Sequence, residues 1–200
     1  MKGLKAGKLS ELSNHNLTES DLINGCLAGD RRVQELLYQR FAPKMYAVCL
    51  RYANNSDDAQ DLLQEGFIKV YRNLEKFRRE GSFEGWVRRV FVNTAIEHYR
   101  RKVNLNTISE KEERTIEDGA WNVLDHLAER DIIQLVQELS PGYRSVFNMY
   151  VIEGYSHKEI GEILDISEGT SKSQLARAKA ILQKKVQEFL DTKRKSLTRP

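Results

Sequence analysis

The chain has 200 residues, of which 40% are apolar and 30% charged, with a net charge of +3 and a pI of about 8.8. That is enough apolar material for one or two small cores, and it excludes one large core and any bilayer-spanning stretch. The balance is only mildly basic, so any surface for a polyanion must come from local clustering of charge. Three prolines and an abundance of Leu, Glu, Lys, Arg, Gln and Ala favour helix.

Residues 1–20 are polar, lack the apolar core of a signal peptide and read as a loose tail. Helical periodicity begins at Asp21, with Leu22, Ile23, Cys26 and Leu27 on one face. Gly29-Asp30 breaks this helix and caps the next, which carries Val33, Leu36, Leu37 and Phe41. Pro43 is expected to restart the helix, with Met45, Val48, Cys49 and Tyr52 facing inward. The two cysteines, Cys26 and Cys49, lie within these apolar stripes and read as buried thiols of a reducing cytoplasm.

Asn54-Asn55-Ser56 forms a turn and cap, after which Asp57, Asp58 and Asp61 load the start of a helix with acid, as the helix dipole favours. Leu62, Leu63, Phe67, Val70 and Leu74 are its apolar stripe, and Asp61, Gln64, Glu65, Ile68 and Arg72 run along the other side. The Asp-Asp-x-x-Asp spacing also matches a magnesium-diphosphate signature, because it places carboxylates on one helical face. That chemistry needs a second acidic motif and a deep apolar barrel, and the chain has neither. The remaining readings are a capped helix start and a protein-docking face.

Residues 75–82 form a basic loop containing Gly81, followed by a long helix from about Phe83 to Arg101. Its expected core stripe is Phe83, Trp86, Val87, Val90, Phe91 and Ala95. Lys76–Lys102 holds eight Lys/Arg against three Glu, interleaved with Phe77, Phe83, Trp86, Phe91 and Tyr99. Arg89, Asn93 and Arg100 share one face, flanked by Arg88 and Arg101, and Phe77, Arg78 and Arg79 stand in the loop. Such a stretch grips phosphates and stacks on unpaired bases. Phe83, Trp86 and Phe91 sit at core spacing, which leaves Phe77 as the aromatic with the least packing role.

Residues 103–128 are polar and poorly periodic, with six acidic residues against two basic ones. They read as a flexible acidic linker, with local order around Trp121 and Val123. Periodicity returns with Ile132, Ile133, Leu135, Val136 and Leu139. Ser140-Pro141 caps a helix whose inward residues are Tyr143, Val146, Phe147 and Tyr150, and Gly154 ends it.

Tyr155–Gln187 reads as a helix-turn-helix. Ser156 and Glu159 make a capping box, Ile160, Ile163 and Leu164 form one face, and Gly161 marks a close approach. Asp165-Ile166 turns and Ser167 caps the next helix. From Gly169 to Gln187 there are five cationic residues and no acidic one. A basic amphipathic helix can face solvent, a membrane or an acidic partner; after a short capped helix it points to the DNA major groove. Ser171 and Gln174 are polar where such a helix usually packs, so Ile166, Leu175, Ile181 and Leu182 must carry more of that packing. The sequence shows no catalytic set, metal site or cofactor motif; His15, His98, His126 and His157 are scattered and read as surface or turn residues.

The reading from residues alone is an all-α chain of two small helical domains, the second with a helix-turn-helix, joined by the linker. Its parts, in order, resemble the extracytoplasmic-function (ECF) sigma factors of bacterial RNA polymerase. Asp57-Asp-Ala-Gln-Asp-Leu-Leu-Gln-Glu-Gly-Phe-Ile-Lys-Val-Tyr71 is similar to the family's polymerase-binding helix, and Phe83–Arg101 to the helix that reads the minus-ten element. Leu139–Phe147 and Tyr155–Thr170 are similar to the domain that reads the minus-thirty-five element.

The resemblance implies a tail at 1–20, a region 2 domain at 21–102, a linker at 103–128, a region 4 domain at 129–190 and a basic tail at 191–200. It implies a non-enzymatic, cytoplasmic initiation factor that needs no cofactor, binds core polymerase and promoter DNA, and is controlled by an anti-sigma protein. Asp57, Asp58, Asp61, Gln64, Glu65, Ile68 and Arg72 would dock on the clamp of the largest subunit, with the second domain near the flap of the other large subunit. Phe77, Arg78, Arg79, Arg88, Arg89, Asn93, Arg100 and Arg101 would hold the minus-ten strand. Ser167, Thr170, Lys172, Ser173, Ala176 and Arg177 would meet the minus-thirty-five element. Here Thr170-Ser-Lys-Ser-Gln-Leu175 departs from the family's Thr-Val-Lys-Ser-Arg-Leu, Ala176 is small, and Asp165 stands where Gly or Asn is common. Weaker or altered minus-thirty-five reading, without loss of the fold, is the expected consequence. The alternative from another class is a free-standing helix-turn-helix regulator, which would not need the upstream acidic and basic-aromatic helices.

Overall fold

The computed structural model describes residues 17–105 and 129–197. Eight α-helices make up the described chain: α1 (Glu19–Leu27), α2 (Arg31–Tyr52), α3 (Ser56–Asn73), α4 (Phe83–Leu105), α5 (Glu129–Gln137), α6 (Pro141–Phe147), α7 (His157–Leu164) and α8 (Glu168–Leu197). No strand occurs among the described residues. The acidic segment around Trp121 and Val123, together with His15 and His126, lies outside them. Helix α4 runs past the expected domain edge to Leu105, and α8 continues to Leu197 through much of the expected basic tail.

Local chemistry accounts for the helix starts. Thr18 and Asp21 form a capping box on α1, and the Asp30 carboxylate accepts from the amides of Arg32 and Val33 at the start of α2. Asn55 accepts from the Asp58 amide on α3. Between α1 and α2, Gly29 takes a left-handed φ of 77°, and a Cβ on Gly25 would lie 2.7 Å from Val33. Pro43 does not restart a helix: α2 is continuous through it. The apolar residues on both sides of the proline, Leu37, Phe41, Met45 and Cys49, keep one buried stripe and hold the helix together across the lost backbone bond.

Helices α1–α4 enclose the first core, centred on Leu37, Ala59, Val70, Phe83, Val87 and Phe91. The second core lies among α5–α8, with Val136, Val146, Phe147, Ile160, Ala178, Leu182 and Val186 buried. Ala178 and Val186 complete the packing that Ile166 and Ile181, both half-buried, supply only in part. Both cysteines are free and buried, and burial pushes their thiols up, to about 11 for Cys26, with help from Asp30, and to about 12 for Cys49.

Two expectations in the second domain fail for identifiable reasons. Pro141 opens α6, but the Ser140 hydroxyl makes no cap bond and is buried without a partner. Tyr150, expected inside, is exposed. Residues 148–152 form a π-helical turn that widens the spiral and slips the register, so Asn148 and Met149 go inside instead.

Candidate nucleic-acid and partner interfaces

The outer side of α3 presents Asp57, Asp61, Gln64, Ile68 and Arg72 to solvent. Ile68 is the one large exposed apolar side chain on this helix among those described, at 49% exposure. Asp58 and Glu65 are differently placed. The Asp58 carboxylate accepts from the Asn54 backbone and side-chain amides and so belongs to the helix start. Glu65 meets Lys69 of its own helix at 3.1 Å and turns toward α4 to meet Arg101 at 2.8 Å, while Lys69 also reaches Glu97 of α4 at 2.7 Å. Burial raises the Glu65 carboxyl, but the bonds from Lys69 and Arg101 outweigh it and leave it below the ordinary glutamate value.

On α4, Arg89, Asn93 and Arg100 are exposed along one face, as their spacing requires. The loop before α4 folds over its first turn and leaves a hollow of about 440 Å³ lined by Lys76, Phe77, Arg78, Glu80, Ser82, Gly85, Trp86 and Arg89, three cations against one carboxylate. Phe77 is not a free loop aromatic. It is 9% exposed, with its ring 5.1 Å from that of Phe83 and 5.6 Å from that of Trp86. A short 3₁₀ turn at Leu74–Lys76 draws it inward, so it forms the floor of the hollow.

Three arginines of this surface are engaged within the protein. Arg79 holds a left-handed φ of 59° and donates to Ser20 Oγ at 3.1 Å and to Asn24 Oδ1, which ties the loop to α1. Arg101 pairs with Glu65. Arg88 donates through Nε and Nη2 to both oxygens of Glu153, at 3.1 and 2.9 Å. Partners distant in sequence decide all three, and nothing in the local pattern around 76–102 marks them.

The helix-turn-helix forms as its caps specify. Ser156 and Glu159 bond reciprocally, and these bonds hold the Glu159 carboxyl below its ordinary value. Asp165 adopts a left-handed φ of 58°, the conformation that Gly or Asn would take more cheaply. A Cβ on Gly161 would stand 2.8 Å from the Ile166 carbonyl oxygen, so this glycine lets the turn fold back on α7. Ser167 Oγ accepts from the Thr170 amide at 2.9 Å and caps α8.

Ser171 is fully buried and bonds to His157 Nδ1 at 2.9 Å, and His157 stacks on Tyr150 at 4.3 Å. His157 is thus part of the α7–α8 seam: a polar pair fills the place of an apolar contact, with its hydrogen bond satisfied. Lys172 is exposed and paired with Glu168 at 2.7 Å. Ser173 and Ala176 are half-buried, and Arg177 lies 3.5 Å from the Tyr143 hydroxyl.

Comparison with known proteins identifies the family. Residues 37–104 match the family model described as Sigma-70 region 2, and residues 129–182 match Sigma-70, region 4. The chain is 30% identical over 186 residues to the ECF RNA polymerase sigma-E factor of Haemophilus influenzae, covering 87% of this chain and 98% of that protein. It is 28% identical to the RNA polymerase sigma-H factor of Pseudomonas aeruginosa, over 86% of this chain and 95% of that one. Among solved structures it is similar to CnrH, in complex with the cytosolic domain of CnrY, at 20% identity and a TM-score of 0.42 over 86% of this chain and 96% of that chain. The chain therefore belongs to the ECF sigma factors: it is a non-enzymatic, promoter-directed initiation subunit that works with core RNA polymerase and promoter DNA.

Proposed function

We propose that the chain divides its work between three surfaces. The exposed face of α3 (Asp57, Asp61, Gln64, Ile68 and Arg72) docks on the clamp of the largest polymerase subunit, with Glu65 at its edge. The α4 face and its loop hollow take the melted minus-ten strand: Arg89, Asn93 and Arg100 hold it, Arg78 flanks the hollow and Phe77 supports its floor. The start of α8 enters the major groove at the minus-thirty-five element through Ser167, Thr170, Lys172, Ser173 and Arg177, with the second domain near the flap.

In this division residues 21–102 form region 2 and 129–190 form region 4. Residues 103–128 link them, and 1–20 and 191–200 are tails. The setting is the cytoplasm; among the described residues no helix is long and apolar enough to cross a membrane. A separate anti-sigma protein holds the chain inactive, in keeping with its family.

The observation that carries this reading is the coexistence of two exposed faces on one domain, an acidic one with an apolar centre on α3 and a basic one beside a hollow on α4. A free-standing regulator has no use for both. Transcription by core polymerase with this chain added, on promoters with and without the two elements, tests it.

Two substitutions divide the roles. Asn93→Ala is expected to leave closed-complex binding intact and to slow promoter opening, as followed with a fluorescent base in the minus-ten region. Unchanged opening kinetics would remove Asn93 from the strand-binding set. Arg177→Ala should weaken promoters that carry the minus-thirty-five element by about 1–3 kcal/mol and relax sequence choice there. An equal loss on every sequence would reduce Arg177 to a phosphate contact.

A further inference from the structure

The two domains meet along a polar seam at the C-terminal end of α2. The last carbonyls of a helix have no partner within it. Here the second domain supplies those partners: the Gln137 amide donates to the Leu50 carbonyl at 3.0 Å, and the Asn148 amide to the Arg51 carbonyl at 2.6 Å. Arg144, 2% exposed, donates to Asn54 Oδ1 and to the Gln137 carbonyl, placing a cation at the negative end of the α2 dipole. Desolvation lowers its pKa from the ordinary arginine value, although Asp58 acts in the opposite direction.

Beside this cap sits Glu153, its side chain 10% exposed, between two arginines of the first domain. Arg88 grips both its oxygens, and Arg51 Nη2 lies 3.5 Å from one of them. The seam is incompletely satisfied, since the Tyr52 hydroxyl, Arg144 Nε and Asn148 Oδ1 are buried without partners. Buried polar contacts with unmet valences add little net stability over the hydrated state. Parted domains would hydrate these groups instead.

We propose that Arg51 and Arg88 form a two-arginine anion site for a backbone phosphate of the promoter strand, and that Glu153 fills this site in the free chain as an internal substitute for that phosphate. Arg51 is thereby a strand-binding residue, on α2 rather than on the minus-ten helix. The surroundings carry the same logic. A cleft runs between α4 and the second domain, with Arg88, Arg89 and Asn93 on one wall and Glu153 and Glu159 on the other. Two planar guanidiniums around one anion suit a phosphate as well as a carboxylate. A strand laid along α4 with the domains in contact would meet two carboxylates, so in this proposal a polymerase-bound form in which the domains have parted exchanges Glu153 for DNA.

This inference rests on α4 holding the minus-ten strand, and its test keeps the two apart. Glu153→Gln preserves side-chain shape and removes the charge. The free full-length variant should expand in small-angle X-ray scattering relative to the wild type and bind a single-stranded minus-ten oligonucleotide about tenfold more tightly. Its holoenzyme should bind that oligonucleotide like the wild type. Arg51→Ala, in holoenzyme, should weaken oligonucleotide binding and reduce its salt dependence by about one phosphate contact.

Circular dichroism melts establish that both variants fold, and if Glu153→Gln is unfolded the Arg51→Ala arm decides alone. A wild-type holoenzyme that ignores the oligonucleotide overturns the reading of α4 and the inference with it. A wild-type holoenzyme that binds, together with a Glu153→Gln chain of unchanged size and affinity or an Arg51→Ala salt dependence equal to wild type, overturns the anion site alone.

Discussion

Ile68→Asp is expected to lower the affinity of the chain for core polymerase about thirtyfold or more, with little change in its melting temperature. The side chain is 49% exposed on α3, flanked on the outer face by Gln64 and Arg72, and touches neither core. Exposed substitutions of this kind usually change stability by no more than about 0.5 kcal/mol. An apolar group at the centre of a docking face behaves differently. Such anchors account for about 2 kcal/mol or more of binding, roughly a thirtyfold change in Kd, and a carboxylate buried in that place adds a desolvation cost. Asp61→Lys makes the complementary test, because a charge near the rim acts chiefly on the association rate and on salt dependence. Fluorescence titrations with core polymerase at two salt concentrations separate the two effects. An Ile68→Asp chain that binds as tightly as the wild type would show that α3 is not the docking helix, and an Asp61→Lys loss that is independent of salt would show that Asp61 acts through structure.

These residues were accessible to reasoning from sequence because their placement follows from helical geometry. Caps at Asn55, Ser156 and Ser167 are short-range events, and the alternation of Leu62, Phe67 and Val70 with Asp61, Gln64 and Ile68 fixes the two sides of α3 without reference to the rest of the chain. The limits arise where a distant partner decides. Arg88, Arg89 and Arg101 look equivalent in sequence, yet one binds Glu153, one is exposed and one pairs with Glu65.

Phe77 reads as a loop residue, and the 3₁₀ turn before it together with the rings of Phe83 and Trp86 beneath the loop draws it inside. Ser171 looks like a flaw until His157 is found 2.9 Å away. Tyr150 is misplaced by one widened turn at 148–152, which no pattern of 3.6 residues anticipates. The interdomain seam, with Arg144 and Asn148 inside apolar stretches, was invisible for the same reason: its partners, Leu50, Arg51 and Asn54, lie about ninety residues earlier.

Gly66 gives no sign of its role in the sequence, although it sets how closely α3 and α4 approach. A Cβ at this position would stand 2.2 Å from Phe91 Cε1 and 2.5 Å from Cδ1. The Phe91 ring of α4 fills the notch that the glycine leaves on α3 and meets Phe67 edge-on, with centroids 5.2 Å apart. Gly66→Ala should therefore destabilise the chain: overpacking costs about 1–3 kcal/mol, and the gain in helix propensity, about 1 kcal/mol, offsets only part of it. Phe91→Ala should cost about 3–5 kcal/mol, since the ring is 1% exposed and leaves a cavity. Together the two should cost clearly less than their sum, because the methyl group of the first enters the space vacated by the second. Denaturant unfolding of the four chains measures the coupling, and strict additivity would mean that the ring does not depend on the notch. The same wedge makes a functional prediction. If Gly66→Ala shifts α3 against α4, its holoenzyme should form with near-normal core affinity, since the outer α3 face is intact, and open promoters slowly, since the strand face is displaced. Loss of core affinity with normal opening would reverse that assignment and place the effect of Gly66 on α3 alone.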